Sequence, residues 1–455
     1  MNQGVASISN FLVKANNEFE NAWLTVFEIS KAIGSSADFE HAAHRVLSYN
    51  PQNSLVHQYK SDLSNSINYI CKLIEENMVE INKNSDKVNN WATLSKLYLL
   101  LSDYSNAYAS ISHVLRINSN INDPFFWYTS AIVYMYFNYY TEAFTFFMNA
   151  KNQNSNFESD SSFLFRFAIL LRLLGKYKDS IEIFTSLIKS LPDGLTADDI
   201  KFQISYTFQL DGNDKEAISQ YQELASRHPN SLELIQQFSW FLSLQNDRNS
   251  LSLAERLVVT APVEHQNDPI LKFVLARIAL KSEDTNAAYN RYKENLSTWS
   301  DSPLFWCGLG LLYLKNEQFP DAIIAFQRAI FIKQDILEAW LNFGLIYQKQ
   351  GDIDSSIKVY QTALSNCNNA QIIQERVNAL NSYRSGTTKQ VPSFEILEID
   401  SAKLFIQVAE KISSMIASTV PLLKSTNLGY SDDKNINNCL KTIYSPFKTL
   451  FQPKY

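Results

Sequence analysis

The chain has 455 residues, 45% of them hydrophobic, enough apolar material for a large core and too much for a disordered chain. Its formal net charge is −6 and no run of Lys and Arg stands out, which argues against direct nucleic-acid binding, since that draws on clustered cations to neutralise phosphates. Eleven Gly and twelve Pro are few for this length, which suits helices joined by short turns and disfavours a turn-rich β-sandwich.

At the N-terminus, residues 1–10 show no charged segment followed by an apolar stretch, so no secretory signal is expected. The most apolar helix-length stretch, 163–174, contains Arg166 and Arg172 and is too short and too charged to span a membrane. Cys71, Cys307, Cys367 and Cys439 lie far apart without a CxxC spacing, so neither a zinc nor a disulfide framework is expected.

A 34-residue step fixes the phase of the chain. It relates Trp306 to Trp340, Gly310 to Gly344 and Tyr313 to Tyr347; it also relates Ala288, Ala322 and Ser356, and Tyr292, Phe326 and Tyr360. In chain order, Trp23, Ala42, Ala43, Asn50 and Pro51 mark a first unit. A second, near 54, is the weakest. Trp91, Tyr98, Tyr104 and Ala107 mark the next, and Trp127, Tyr134, Ala143, Phe147 and Ala150 the one after. Gly175, Phe184 and Pro192 follow, then Gly212, Ala217, Tyr221 and Pro229. Unit starts fall near 20, 54, 88, 124, 161, 198, 232, 269, 303 and 337, with steps between 34 and 37; the longer steps imply inserted loop residues, as at 193–197. This is the period of the tetratricopeptide repeat (TPR), two antiparallel helices that cannot bury their apolar faces alone. The expected fold is an all-α superhelical solenoid of about ten such units.

Each repeated position has a physical role. Trp23, Trp91, Trp127, Trp306 and Trp340 sit on the first helix; in the last two units Gly310 or Gly344 four later and Tyr313 or Tyr347 seven later share its face. Gly310 and Gly344 let the two helices approach, Ala322 does so from the second helix, and Phe326 fills the space between repeats. The aromatic-rich stretch 125–140 carries strand propensity, but its phase assigns it to helices. Residues 371–383 read as a capping helix for the last repeat. Domain bounds follow: an N-terminal segment 1–19, the array with its cap 20–383, a linker 384–398 and a helical tail 399–455. Within that tail, 402–418 is amphipathic, 425–438 is polar and expected to be mobile, and 439–451 is a short helix that Pro446 interrupts.

No catalytic chemistry is legible. Gly308-Leu-Gly310 lacks a preceding strand and a third Gly, so it is not a nucleotide loop. His41 and His44 share a helix face, but two histidines alone rarely hold a metal. Cys307, beside Trp306, is read as a small packing or groove residue. No nucleophile elbow is present. We therefore expect a binding protein rather than an enzyme, with no cofactor.

The positions one and five after the Trp slot face the inner wall of such an array. In the middle units they hold Tyr128 and Ile132, Phe165 and Ile169, and Phe202 and Tyr206, an apolar stripe. Singly these residues serve packing as readily as binding; together they are expected to form a partner groove for a helix or extended peptide. With Phe273/Arg277, Cys307/Leu311 and Leu341/Leu345 at the later slots, no carboxylate clamp of the co-chaperone kind can be assembled from them.

The motifs Pro303-Leu-Phe-Trp-Cys-Gly-Leu-Gly-Leu-Leu-Tyr313, Phe319-Pro-Asp-Ala-Ile-Ile-Ala-Phe-Gln-Arg-Ala-Ile330 and Glu338-Ala-Trp-Leu-Asn-Phe-Gly-Leu-Ile-Tyr347 resemble the Cyc/Ssn-type TPR transcriptional corepressor. That family partners the Tup WD-repeat repressor and is related to the TPR region of UTX-type demethylases. Trp23-Leu-Thr-Val, Asn90-Trp91-Ala-Thr-Leu94 and the closing Gln374-Glu-Arg-Val-Asn-Ala-Leu380 fit it too, as does the order of irregular steps, over about 20–383. The resemblance implies a nuclear adaptor joining a Tup-like subunit to transcription factors. The family's long Gln-rich tail is absent, and the second unit matches poorly. Two other readings remain: a TPR subunit of an anaphase-promoting-type ubiquitin-ligase complex, or a ciliary or trafficking scaffold.

Overall fold

One turn geometry recurs along the chain in this computed structural model, which describes residues 20–25, 27, 36–118, 121–367, 370–398, 423–443 and 447. At the end of the first helix of a pair, one residue adopts a left-handed conformation: Ser102, Asn138, Gly175, Gly212, Glu283, Glu317 and Gly351, with φ between 57° and 83°. The next N–H then bonds back to the carbonyl five residues earlier, as in Gln318 to Tyr313 at 2.8 Å and Asp352 to Tyr347 at 2.9 Å. This is a Schellman closure. In six turns the donor residue is also the N-cap of the second helix, and in three of them the side chain caps it: Asp103, Asp284 and Asp352 each accept from the backbone N–H three residues on. One residue thus ends one helix and starts the next.

The described residues are helical apart from these turns and loops, with no strand among them. They divide into two compact units. The first covers Met1–Gln220 with Ala409–Tyr455. It contains α1 (Ser36–Tyr49), α2 (Ser54–Lys83), α3 (Val88–Leu100), α4 (Tyr104–Ile117), α5 (Pro124–Tyr136), α6 (Tyr140–Gln153), α7 (Ser161–Leu173), α8 (Tyr177–Leu187) and α9 (Ala197–Leu210). The second covers Tyr221–Val408. It contains α11 (Leu232–Leu244), α12 (Arg248–Val259), α13 (Pro269–Lys281), α14 (Thr285–Trp299), α15 (Pro303–Lys315), α16 (Phe319–Ile332), α17 (Leu337–Lys349), α18 (Ile353–Asn366) and the capping helix α19 (Ala370–Arg384). Helix α10 (Asp214–Arg227) contributes residues to each. The stretch 125–140 is helical, as its phase requires, with Asn138 at the turn. The longer steps hold short inserts: 3-10 turns at Ser155–Glu158 and Val263–His265, and a loop at 188–196.

Packing follows the repeat. The small residue on each second helix is buried: Ala107, Ala143, Ser180, Ala217, Ala254, Ala288, Ala322 and Ser356 are all within 0% exposure. The two serines replace a methyl contact by a hydrogen bond to the first helix, Ser180 to the Ala168 carbonyl at 2.7 Å and Ser356 to that of Gly344 at 2.8 Å. Phe326 and Tyr360 are fully buried against Gly310 and Gly344. Gly308, which the sequence left unexplained, lies so close to Tyr292 and Phe273 that a Cβ would stand 2.6 and 2.7 Å from them. The tryptophans do more than pack. Indole N–H groups of Trp91, Trp127, Trp306 and Trp340 donate to the carbonyl six residues earlier, at 2.7–2.9 Å, which fastens the loop between pairs. In the first unit Trp23 lies beside Arg45, with Ala42 and Ala43 buried against Phe27, Val46 and Val56.

The sequence reading fails at the second repeat. Residues 54–83 form one 30-residue helix instead of a helix pair. No residue within it turns to a left-handed conformation, so the helix runs on where the other units break. Its apolar face is covered from far away. Helix α20 (Lys434–Ile443) packs on it, and Ile70, Leu73, Leu97, Leu100, Leu423, Leu428, Ile436 and Leu440 form a common core. The segment expected to be mobile, 425–438, is therefore a 3-10 turn at Ser425–Leu428 followed by helix, because Leu428 and Ile436 anchor it. Helix α20 also starts before the expected 439. The amphipathic stretch 402–418 and Pro446 lie outside the described residues.

Candidate peptide-binding surface

The first helices of the second unit carry polar side chains at regular intervals. Arg277 and Lys281 are four apart on α13, and Lys315 on α15 is 34 residues beyond Lys281. Asn342 and Gln348 lie on α17, and Arg376 on the capping helix. A single extended segment of the same unit, 392–398, touches all of them. Asn342 holds Leu397 at both backbone groups: its side-chain N–H donates to the Leu397 carbonyl at 2.6 Å, and its Oδ1 accepts from the Leu397 N–H at 2.9 Å. Arg376 donates to the Glu395 carbonyl at 3.3 Å, and Gln348 donates to that of Pro392. The Phe394 ring faces the Arg376 guanidinium at 4.7 Å and Tyr360 at 6.5 Å. The stretch 384–398, read from sequence as a linker, is in its second half a docked peptide.

Glu398 is the focus of charge. Its carboxylate lies 2.9 Å from Lys315, 3.4 Å from Arg277 and 3.6 Å from Lys281. Burial pushes its pKa up, but the Lys315 hydrogen bond and the charges of Arg277, Lys315 and Lys281 outweigh that, and the net shift is downward. Arg277 and Lys281 are held in place by Ser243, Leu244 and Gln245 carbonyls at the end of α11 and by Asn246. Arg277 also stacks over Trp240 at 5.3 Å. The slots one and five after the Trp position supply only Arg277 of these three cations. The carboxylate site is completed by lysines one turn further on. The signal was present in the pair Lys281 and Lys315, one repeat apart.

The first unit shows a related arrangement. Lys96, 2% exposed, pairs with Asp123 at 2.5 Å and donates to the Asn427 carbonyl at 2.6 Å. Burial lowers its pKa against the raising influence of Asp123. Thr93 donates to the Leu428 carbonyl, and Asn77 to the Tyr430 hydroxyl. These residues border an open cleft of about 840 Å³.

The aromatic stripe is not an open surface. Tyr128, Ile132, Phe165, Ile169 and Phe202 are buried to 4% exposure or less, and only Tyr206 is half-buried. Tyr128 packs among Phe147, Phe157 and Phe163 and accepts from Arg166 at 2.8 Å; burial raises its pKa to about 12. Phe165 is covered by Phe184 and by Phe447 from the C-terminal region, with the Phe447 ring 4.6 Å from the Arg166 guanidinium. Tyr206 stacks under Arg172 at 4.9 Å. Bulky side chains at these slots satisfy one another and two buried arginines, which leaves little for a partner.

Other candidates resolve simply. Cys307 is fully buried and burial pushes its thiol pKa well up, so it is a packing residue. The cysteines are unpaired, and Cys71 is exposed. His44 is exposed, and the His41 side chain lies outside the described residues. No group of metal-ligating side chains is found among the described residues, and no helix among them is long and apolar enough to cross a membrane.

Comparison with known proteins agrees with this geometry. Tetratricopeptide-repeat models match residues 199–231, 273–339 and 337–369. Similar solved structures include a tetratricopeptide repeat protein from Parabacteroides merdae, at 13% identity and a TM-score of 0.46, covering 56% of this chain and 97% of that one. PilW, a type IV pilus biogenesis factor, matches at 16% identity and a TM-score of 0.39, covering 47% and 97%. The APC/C hetero-tetramer Cut9-Hcn1 matches at 14% and 0.37, covering 75% of this chain and 59% of that one. No curated protein matches the sequence. The chain is an all-α protein built of tetratricopeptide repeats.

Proposed function

We propose that this repeat protein is a non-enzymatic scaffold that holds extended segments of other proteins against its first helices, and that it serves in the nucleus as a corepressor adaptor. In that role it links a Tup-like WD-repeat subunit to DNA-binding transcription factors. The observation that carries the scaffold part is the grip on 392–398: a surface that binds backbone through Asn342, Gln348 and Arg376 accepts peptide as such. The adaptor part is supported by the motif resemblance at 303–347 and by the order of irregular repeat steps. Affinity purification of the tagged full chain from its own cells, with partner identification, tests both parts. A WD-repeat subunit recovered together with transcription factors is the expected result. Recovery of ubiquitin-ligase subunits or ciliary components in their place refutes the adaptor role, and localisation to the cytoplasm alone refutes the nuclear one.

A further inference from the structure

Residues 392–398 touch their unit as a ligand touches a receptor. Helix-on-helix packing elsewhere in the unit is apolar and reads side-chain shape. Here the backbone carries most of the polar contacts, and side-chain chemistry is read at two places only. The first is Phe394, between Arg376 and Tyr360. The second is Glu398, among three cations. Three cations meet at the Glu398 carboxylate, and the side chains of Arg277 and Lys281 are only 6% and 8% exposed. A site built this way favours an anion, because buried charge without a counter-charge is costly. The segment is joined to the capping helix by residues 385–391, which are exposed with Gly386 at a positive φ, so the capping helix need not unpack when it leaves.

We propose that this surface is a recognition site for an extended partner peptide with an aromatic residue and, four positions later, a carboxylate, and that 392–398 fills it in cis until such a partner displaces it. The proposal rests on the scaffold reading and names the ligand class of that surface. The contacts of the seated segment specify the chemistry: backbone for Asn342, an aromatic face for Arg376, an anion for Arg277, Lys281 and Lys315. A tether of a few residues gives the cis segment an effective concentration in the millimolar range. Weak or uncharged peptides are therefore refused, and only a partner that outbids this concentration enters.

The test uses the full chain and a fluorescein-labelled peptide with the sequence of residues 391–398, followed by anisotropy. In the double variant Phe394→Ala, Glu398→Gln the cis segment loses both side-chain contacts. The peptide is expected to bind this variant at least about tenfold more tightly than the unaltered chain, given the cis competition. Adding Lys315→Ala, a side chain about one-third exposed (32%), or Asn342→Ala should remove most of that binding while circular dichroism shows the helices intact. Equal affinity for the variant and the unaltered chain overturns the cis occupancy. Binding indifferent to both Lys315→Ala and Asn342→Ala overturns the site. A dimer of the unaltered chain that the double variant abolishes would place the segment on a second copy and also overturn the proposal. These readouts need no cellular partner, so a negative result here leaves the partner identification to judge the scaffold reading separately.

Discussion

Replacing Gly344 by Ala tests the helix register at its tightest point. A Cβ built there stands 2.3, 2.6 and 2.8 Å from Cε1, Cζ and Cδ1 of Tyr360. Ordinary carbon contacts begin near 3.5 Å, so the ring must retreat by about 1 Å. It is not free to do so: Tyr360 is fully buried, its hydroxyl donates to the Leu341 carbonyl at 3.1 Å, and Arg376 donates to it at 3.3 Å. Overpacking of this kind costs about 1–3 kcal/mol, and a lost hydrogen bond adds about 1 kcal/mol. The better helix propensity of Ala returns about 1 kcal/mol. The net expectation is destabilisation by about 1–3 kcal/mol. Gly310→Ala is the control with the same propensity gain. Its nearest contacts, to Phe326, are 3.0–3.1 Å, and a shift of a few tenths of an ångström relieves them, so the net change is about zero. Thermal and urea unfolding followed by circular dichroism should rank Gly344→Ala below Gly310→Ala by roughly 2–12 °C, at about 2–4 °C per kcal/mol for a unit of this size. Tyr360→Leu in the Gly344→Ala background should recover part of the loss. Equal melting of the two Ala variants would refute the register and the close approach with it.

Other outcomes follow from the same structure. Glu317→Gly should stabilise by about 0.5–1 kcal/mol in urea unfolding, because it removes a side chain from the left-handed region at φ 58°, while Gly351→Ala should destabilise by a similar amount. Trp306→Phe should cost about 1 kcal/mol or more through the lost bond to Ser300, read by the same melts. Docking of 392–398 should depend on pH: Glu398 has a depressed pKa, so its contribution is full above the ordinary Glu value and is lost as pH falls through the lower, folded value. The protection factor of the Leu397 amide against hydrogen exchange should fall as pH drops below the ordinary Glu value and with added salt; unchanged protection would refute the ion cluster. Under native conditions a thiol reagent should modify Cys71 quickly and leave Cys307 intact, since burial raises the Cys307 pKa and blocks access.

What was legible in the sequence was what repeats. Gly310, Gly344, Trp306, Trp340 and the small residues of the second helices recur at a fixed step because each solves the same packing problem, and the structure places them as that step requires. The second repeat was misread because a weak match to a repeat was taken as a repeat; the absence of Gly and Pro from 54–83 could not tell the two apart, since 88–117 lacks both and still turns at Ser102. The peptide-binding surface was hidden for a different reason. Asn342 holds a backbone, which has no sequence signature, and Glu398 meets Arg277 across 121 residues. The aromatic slots misled in turn, since large rings such as Phe165 and Phe202 bury themselves when enough neighbours of their own kind are at hand.

Helix α20 lying on α2 has a consequence for the order in which the protein is made. A stacked repeat ordinarily finds its neighbour as soon as the next few dozen residues emerge from the ribosome. Helix α3 covers part of the apolar stripe of α2, but the rest has to wait for a partner more than 350 residues downstream, as the Asn77–Tyr430 bond across 353 residues shows. Through most of synthesis that remainder stays exposed to chaperones or misassembly. A message cut short after residue 384 would leave it permanently uncovered and would free both tail-occupied surfaces at once, so premature stop codons late in the reading frame should yield an adhesive product instead of a merely shorter one.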